Sequence, residues 1–228
     1  MSGLLVAVDG PSASGKSRAV RAAALRLGAD VLPEAYDRLR PRPSLSWDGI
    51  PQFLRLEGRL LREDARRFRE GRARAAAGAT VLADTGFLGP LTYTSGLVGL
   101  ELVPRSALTD LVRTAHAWER EGRWGWPDAI IYLRTPAAER RRRAENDPRG
   151  HPRSLQVRHQ QVAEIERRFY RAVVAAAYGD RFRFVAGSGT PDEVADRLVG
   201  AVARLPAPPR RPSYRRILFA LDRTRGVP

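Results

Sequence analysis

Apolar and polar positions along this chain follow two alternating rhythms. Short, nearly unbroken apolar runs occur at "GLLVAV" (3–8), "ADVLPEA" (29–35), "TVLADTG" (80–86), "DAIIYLRT" (128–135) and "RFRFVAG" (181–187). Between them lie longer stretches in which apolar residues recur every three or four positions. The first rhythm reads as strands buried on both faces, the second as amphipathic helices. Helices are expected over 16–27, stopped by Gly28, and over 51–77, 104–122, 136–146, 154–178 and 191–204. Strands that alternate with helices pair in parallel through crossovers. The expected class is therefore α/β: three layers, with a five-stranded parallel sheet between helices.

The rhythm stops after residue 205, where the chain continues "PAPPRRPSYRRILFALDRTRGVP". Its Pro-Arg part reads as a linker. The "YRRILFAL" beyond is suited to dock as a strand or helix, or to engage a partner. The organisation expected is one domain over 1–205 with an appendage over 206–228.

Composition narrows the setting. The chain has 228 residues, 43% of them apolar, and no run nears the roughly 18 apolar residues of a membrane span. The N-terminus lacks a basic segment before its short apolar run and does not read as a signal peptide. Without cysteine there are no disulfides and no thiolate metal sites. A cytoplasmic protein is the expectation. The net charge of +15 favours anionic partners, namely nucleotides, phosphates or nucleic acid. A composition rich in Ala, Arg, Gly and Pro produces such a charge as well.

Of the 40 basic residues, 39 are arginine and one is lysine. The lysine lies in Gly10-Pro11-Ser12-Ala13-Ser14-Gly15-Lys16-Ser17, a G-x-x-x-x-G-K-[ST] pattern between a predicted strand and a predicted helix. Glycines let the loop turn its N–H groups inward around phosphate oxygens, and the helix start adds its partial positive charge. Lys16 supplies a compact ammonium for the β- and γ-phosphates, where a guanidinium fork is too broad. Ser17 offers a hydroxyl to Mg²⁺. ATP and Mg²⁺ are the cofactors expected.

Three features bear on the reaction. Glu34 follows the second strand, at the sheet edge where α/β ligands collect, and suits a base for a hydroxyl proton or a water-mediated Mg²⁺ contact. Asp37 and Arg38 nearby can pair with each other. Asp84 ends an apolar strand, as a Mg²⁺-directed carboxylate does, or faces substrate. Arginines cluster at 140–143, 149 and 153, around "NDPRGHPRS", so a helical lid is expected over about 136–156. Arg143 is the candidate catalytic countercharge, with Arg140 and Arg149 on the nucleotide. Arg140 and Arg143 share a helix face by their spacing.

"GPSASGKS", "PEA", "LAD" and "PDAIIYLRTP" before an arginine-rich stretch resemble the small P-loop kinases of nucleosides and nucleotides. The deoxynucleoside kinase and thymidylate kinase groups are the most similar. The resemblance runs over about residues 3–187 and implies a P-loop kinase fold, a lid after Tyr132-Leu133-Arg134-Thr135-Pro136, and Glu34 as general base. "VLPEA" also resembles related P-loop ATPases. One departure stands out: such kinases often carry Asp-Arg or Glu-Arg after the third strand, where this chain has Asp84-Thr85-Gly86.

Trp47, Gln52 and Arg55 fall where such kinases begin their acceptor site, with "PLTYTSGL" after strand three. Trp118, Trp124 and Trp126 read as packing. His116, His151 and His159 lack metal-ligand spacing, and no G-x-S-x-G elbow is present. The reading is a kinase moving the γ-phosphoryl of Mg·ATP to a nucleoside, nucleotide or related metabolite; an antibiotic is compatible. Partners expected are the acceptor and the triphosphate, without a membrane; a homodimer is admitted. The alternatives are a regulatory or nucleic-acid-directed NTPase, and a module that only binds nucleotide.

Overall fold

The computed structural model describes residues 3–86, 88–146, 153–206 and 214–223. Five strands form its sheet: β1 (Leu4–Asp9), β2 (Asp30–Leu32), β3 (Thr80–Asp84), β4 (Ala129–Arg134) and β5 (Phe182–Ala186). They lie in the order β2-β3-β1-β4-β5. Every pairing is parallel, with Val6 opposite Leu82 on one side and Ala129 on the other. This is the sheet the apolar runs predict.

The helices are α1 (Lys16–Leu27), α2 (Ala35–Arg38), α3 (Ile50–Ala76), α4 (Gly89–Gly99), α5 (Arg105–Arg120), α6 (Ala137–Glu145), α7 (Arg153–Phe169), α8 (Ala175–Tyr178), α9 (Pro191–Ala203) and α10 (Tyr214–Arg223). Side chains alternate across β1 with the period of two that a strand imposes. Val6 and Val8 join Ala19, Val20 and Ala23 of α1 and Leu198 of α9 in one core. Leu5 and Ala7 face Leu61 and Phe68 of α3 and Leu111 of α5 in the other. The sheet is thus covered on both faces, and the carboxyl ends of its strands are left for the site.

Three details depart from the sequence expectation, and the tail takes one of the forms expected of it. The second strand stops at Leu32, ahead of Pro33, which cannot donate to a ladder. "PLTYTSGL" is helix α4. Between α7 and α8 the helix widens into one π turn, Tyr170–Val174. "YRRILFAL" docks as a helix: Ile217, Leu218 and Leu221 of α10 are at most 1% exposed and belong to the same core as Leu5. Leu221→Ala should therefore cost about 2–5 kcal/mol of stability, read as a lowered midpoint in chemical denaturation; an unchanged midpoint would show that α10 does not pack there.

Candidate functional site

The loop between β1 and α1 wraps the single lysine. Lys16 Nζ donates to the carbonyls of Gly10 at 2.5 Å and Pro11 at 2.9 Å, and lies 3.5 Å from Ser14 Oγ. Gly10 has φ 138°, and a Cβ there would stand 2.7 Å from the Leu133 carbonyl of β4. Only glycine satisfies both conditions. The loop closes on itself through Ser14 N–H to Pro11 O at 3.2 Å, and α1 begins directly after Gly15. The loop thus folds tightly around Lys16 and runs straight into α1.

Behind the ring stands Arg143 of α6. Its Nη1 donates to Ser14 O at 2.6 Å and Gly187 O at 3.2 Å, and its Nη2 to Gly189 O at 3.0 Å, with Glu139 holding the guanidinium. In this structure Arg143 braces the loop from outside. Arg140, one turn earlier, is 7% exposed; burial lowers its pKa, and Tyr132 and Glu166 are its nearest favourable charges. Its Nε and Nη1 have no hydrogen-bond partner. The two arginines thus part ways despite their spacing. Arg149 and His151 lie outside the described residues.

At the ends of β2 and β3 the two candidate carboxylates converge. Glu34 is half-buried at the start of α2. Burial pushes its carboxyl above the usual carboxylate range, the Asp84 charge adds to this, and Lys16 and Arg67 pull the other way. Asp84 is 3% exposed, and its Oδ1 has no hydrogen-bond partner. A lone hard oxygen of this kind, with the Ser17 hydroxyl, fits a magnesium ion that keeps most of its waters. Among the described residues there is no cluster of three or more His, Asp or Glu to hold a metal by protein ligands alone.

Arg67 of α3 organises this edge, and the motifs give no hint of it. It is 0% exposed. Its Nε donates to Asp64 Oδ1 at 2.6 Å, Nη1 to Pro33 O at 3.1 Å and Asp84 O at 3.0 Å, and Nη2 to Thr85 O at 2.7 Å. One guanidinium therefore fixes the backbone beside both carboxylates. Thr85 has φ 68°, an uncommon value for a β-branched residue, and the bond to its carbonyl helps hold it. An arginine of α3 thus holds the backbone of the Asp84-Thr85 turn.

Gly86 has its own reason. A Cβ there would stand 1.7 Å from Asp9 Oδ2. Asp9, at the end of β1, accepts from Gly10 N–H at 2.8 Å and from the Tyr170 hydroxyl at the head of the π turn. Gly86→Ala should cost about 1–3 kcal/mol through overpacking, seen as a lower denaturation midpoint; a midpoint equal to wild type would mean that Asp9 has room to move. Nearby, Glu166 of α7 accepts from Thr92 Oγ1 at 3.2 Å. Burial first, then the Asp9 charge, push Glu166 up to about 7, against the pull of Lys16.

The remaining candidates separate. Trp47 packs edge-on against Phe53, with ring centroids 5.1 Å apart, under the guanidinium of Arg158. Gln52 Oε1 accepts from the Asp48 N–H at 2.6 Å, at the start of α3. Arg55 is exposed, about 160° round the helix from the buried Glu57 at 100° per residue, and so lies on the outer side of α3. Asp37 pairs with Arg42, and Arg38 with Glu63 and Glu70, so the expected Asp37–Arg38 pair does not form. Trp124 and Trp126 are buried in the core.

Solved structures share this architecture. Deoxyadenosine kinase from M. mycoides with bound dCTP matches with a TM-score of 0.60 and 15% identity, over 87% of this chain and 98% of that one. The chain has the fold of a deoxynucleoside kinase. The same M. mycoides kinase with the products dCMP and a flexible dCDP matches at a TM-score of 0.58, and with bound dATP at 0.56, at the same identity and coverage. No protein-family model and no curated protein matches the chain. Among the described residues, no helix of this deoxynucleoside-kinase fold is long and apolar enough to cross a membrane.

Proposed function

We propose that the chain is a kinase that moves the γ-phosphoryl group of ATP to a hydroxyl of a small acceptor. The observation that carries this reading is the convergence of Glu34, Asp84 and the Lys16 ring at one edge of the sheet, with Glu34 feeling the charges of the other two. Backbone N–H groups of the loop and of the start of α1, with the ammonium of Lys16, bind the triphosphate. Ser17 and Asp84 would hold Mg²⁺, which when bound neutralises phosphate charge. The acceptor oxygen attacks the γ-phosphorus, its proton passes to Glu34, and the bond to the β-phosphate oxygen breaks to leave ADP. Catalysis is positioning plus electrostatics: the ring fixes the donor, Glu34 orients the hydroxyl, and Lys16 meets the developing charge. Helix α6, with its buried Arg140, and the first residues of α7 fall in the lid span read from the sequence. The likeness to kinases whose structures hold dATP, dCTP and dCMP supports a nucleotide-sized donor and acceptor.

The test is a phosphorylation screen with labelled ATP over hydroxylated metabolites. Transfer of label to an acceptor, lost in Lys16→Ala, supports the reading. ATP hydrolysis that no acceptor changes, together with steeply salt-dependent binding to DNA or RNA, would replace it with the nucleic-acid-directed NTPase.

A further inference from the structure

The face of α3 that carries Asp64 and Arg67 carries another acid. Glu57 lies seven residues before Asp64, about two helical turns, and is 3% exposed. Two titratable groups face it, Asp64 on α3 and Tyr93 on α4, and behind Tyr93 the Arg158 guanidinium of α7 hydrogen-bonds the tyrosine hydroxyl. His159 of α7 stands edge-on to Tyr93, with ring centroids 5.3 Å apart. Phe53, one turn before Glu57, packs against Trp47, which follows the candidate base Glu34 in the chain.

No described residue forms a salt bridge or hydrogen bond with the Glu57 carboxyl. Buried charges are ordinarily paired, and this chain holds 39 arginines. Of the influences on its carboxyl none is a cation, and the neighbouring arginines are engaged elsewhere. Arg67 serves Asp64 and three carbonyls, and Arg158 serves Tyr93 and the face of Trp47. By contrast Glu63, on the same helix, has Arg38 and Arg66 as partners. Glu57 is the buried acid of α3 whose cation is not supplied by the described chain.

We propose that Glu57 is the recognition carboxyl of the acceptor cleft, and that the acceptor is a hydroxylated molecule bearing a basic nitrogen, an amine or amidine, that ion-pairs with it. The inference rests on the kinase reading above and names its substrate class. The chemistry balances simply. Burial, reinforced by Asp64, pushes Glu57 up to about 8, so the acid is protonated at neutral pH. An entering ammonium pairs with the carboxylate, and the carboxyl proton goes to solvent, about one proton for each acceptor bound. Tyr93 is pushed to about 12, and Asp64, pushed up to about 6 by burial against the pull of Arg67, is mostly ionised at pH 7, so the larger share of any proton released there is Glu57's.

The test uses the full chain with labelled Mg·ATP and four probe sets: hydroxylated amines, their N-acetyl counterparts, neutral hydroxylated compounds and anionic ones. The expected result is phosphorylation of an amine, with a KM at least about 30-fold lower than for its N-acetyl form, as charge-assisted pairing demands. Glu57→Gln should raise the amine KM by a similar factor while the KM for ATP stays put. Calorimetry in two buffers of different ionisation heat should show proton release on amine binding, lost in Glu57→Gln and kept in His159→Gln. Folding of the variant is checked by melting. A carboxyl held protonated to about 8, against 4.5 unfolded, favours the fold less as pH rises above 4.5. Glu57→Gln should thus melt with wild type at pH 4 and above it at pH 8. Should the variant fail to fold, the amine against N-acetyl comparison in wild type still decides. Phosphorylation confined to neutral or anionic compounds overturns this inference and leaves the kinase standing. An amine KM indifferent to Glu57→Gln overturns it too. No labelled product in any set overturns both.

Discussion

Lys16→Ala is expected to lower turnover by about a thousandfold or more, the scale on which a preorganised charge at a transferring group acts, with the fold intact. The ammonium makes two good contacts to loop carbonyls, Gly10 O and Pro11 O, and a longer one to Ser14 Oγ, all only partly buried. Water can replace it there, so melting should shift little. Nothing else in the chain is a lysine, and Arg143 is committed behind the ring to Ser14, Gly187 and Gly189. Lys16→Arg keeps the charge and should fail nearly as badly, because a planar fork does not enter a ring sized for an ammonium. Steady-state kinetics with labelled ATP, beside a melting curve, measures both. Normal turnover in the alanine variant would end the kinase reading.

Glu34→Gln should cut kcat by about 10²–10⁴-fold, the usual span for loss of a general base, and leave ATP binding nearly unchanged. The carboxylate must be free to take a proton, so activity falls as pH drops through its folded pKa. Burial, then the Asp84 charge, raise that pKa above 4.5, and the acid limb of the kcat profile should lie above the ordinary carboxylate range. Asp84→Asn removes one of the raising charges and should move the limb to lower pH, whatever it does to the rate. A limb that stays in place would separate Asp84 from Glu34.

Sequence legibility follows physical causes. The strands were readable because both their faces are buried, which leaves near-continuous apolar runs such as "AIIYLR". Helix α4 was not, because residues 90–92 and 94–97 are buried and no polar stripe marks its period. Lys16 and Glu34 were readable because a motif and a strand end fix their places. Arg67, Asp64 and Glu57 were hidden in a 27-residue helix crowded with charge. Their one trace is a shared arc with Phe53, Leu61 and Phe68, a stripe otherwise apolar. Trp47 packs on Phe53, whereas Arg55 turns to the exposed side with the helical phase.

Arg143 joins three stretches distant in sequence: α6, the loop at Ser14 and the turn at Gly187–Gly189. Such a rivet makes them one lever. When α6 tilts, it must drag Ser14 along or shed those contacts.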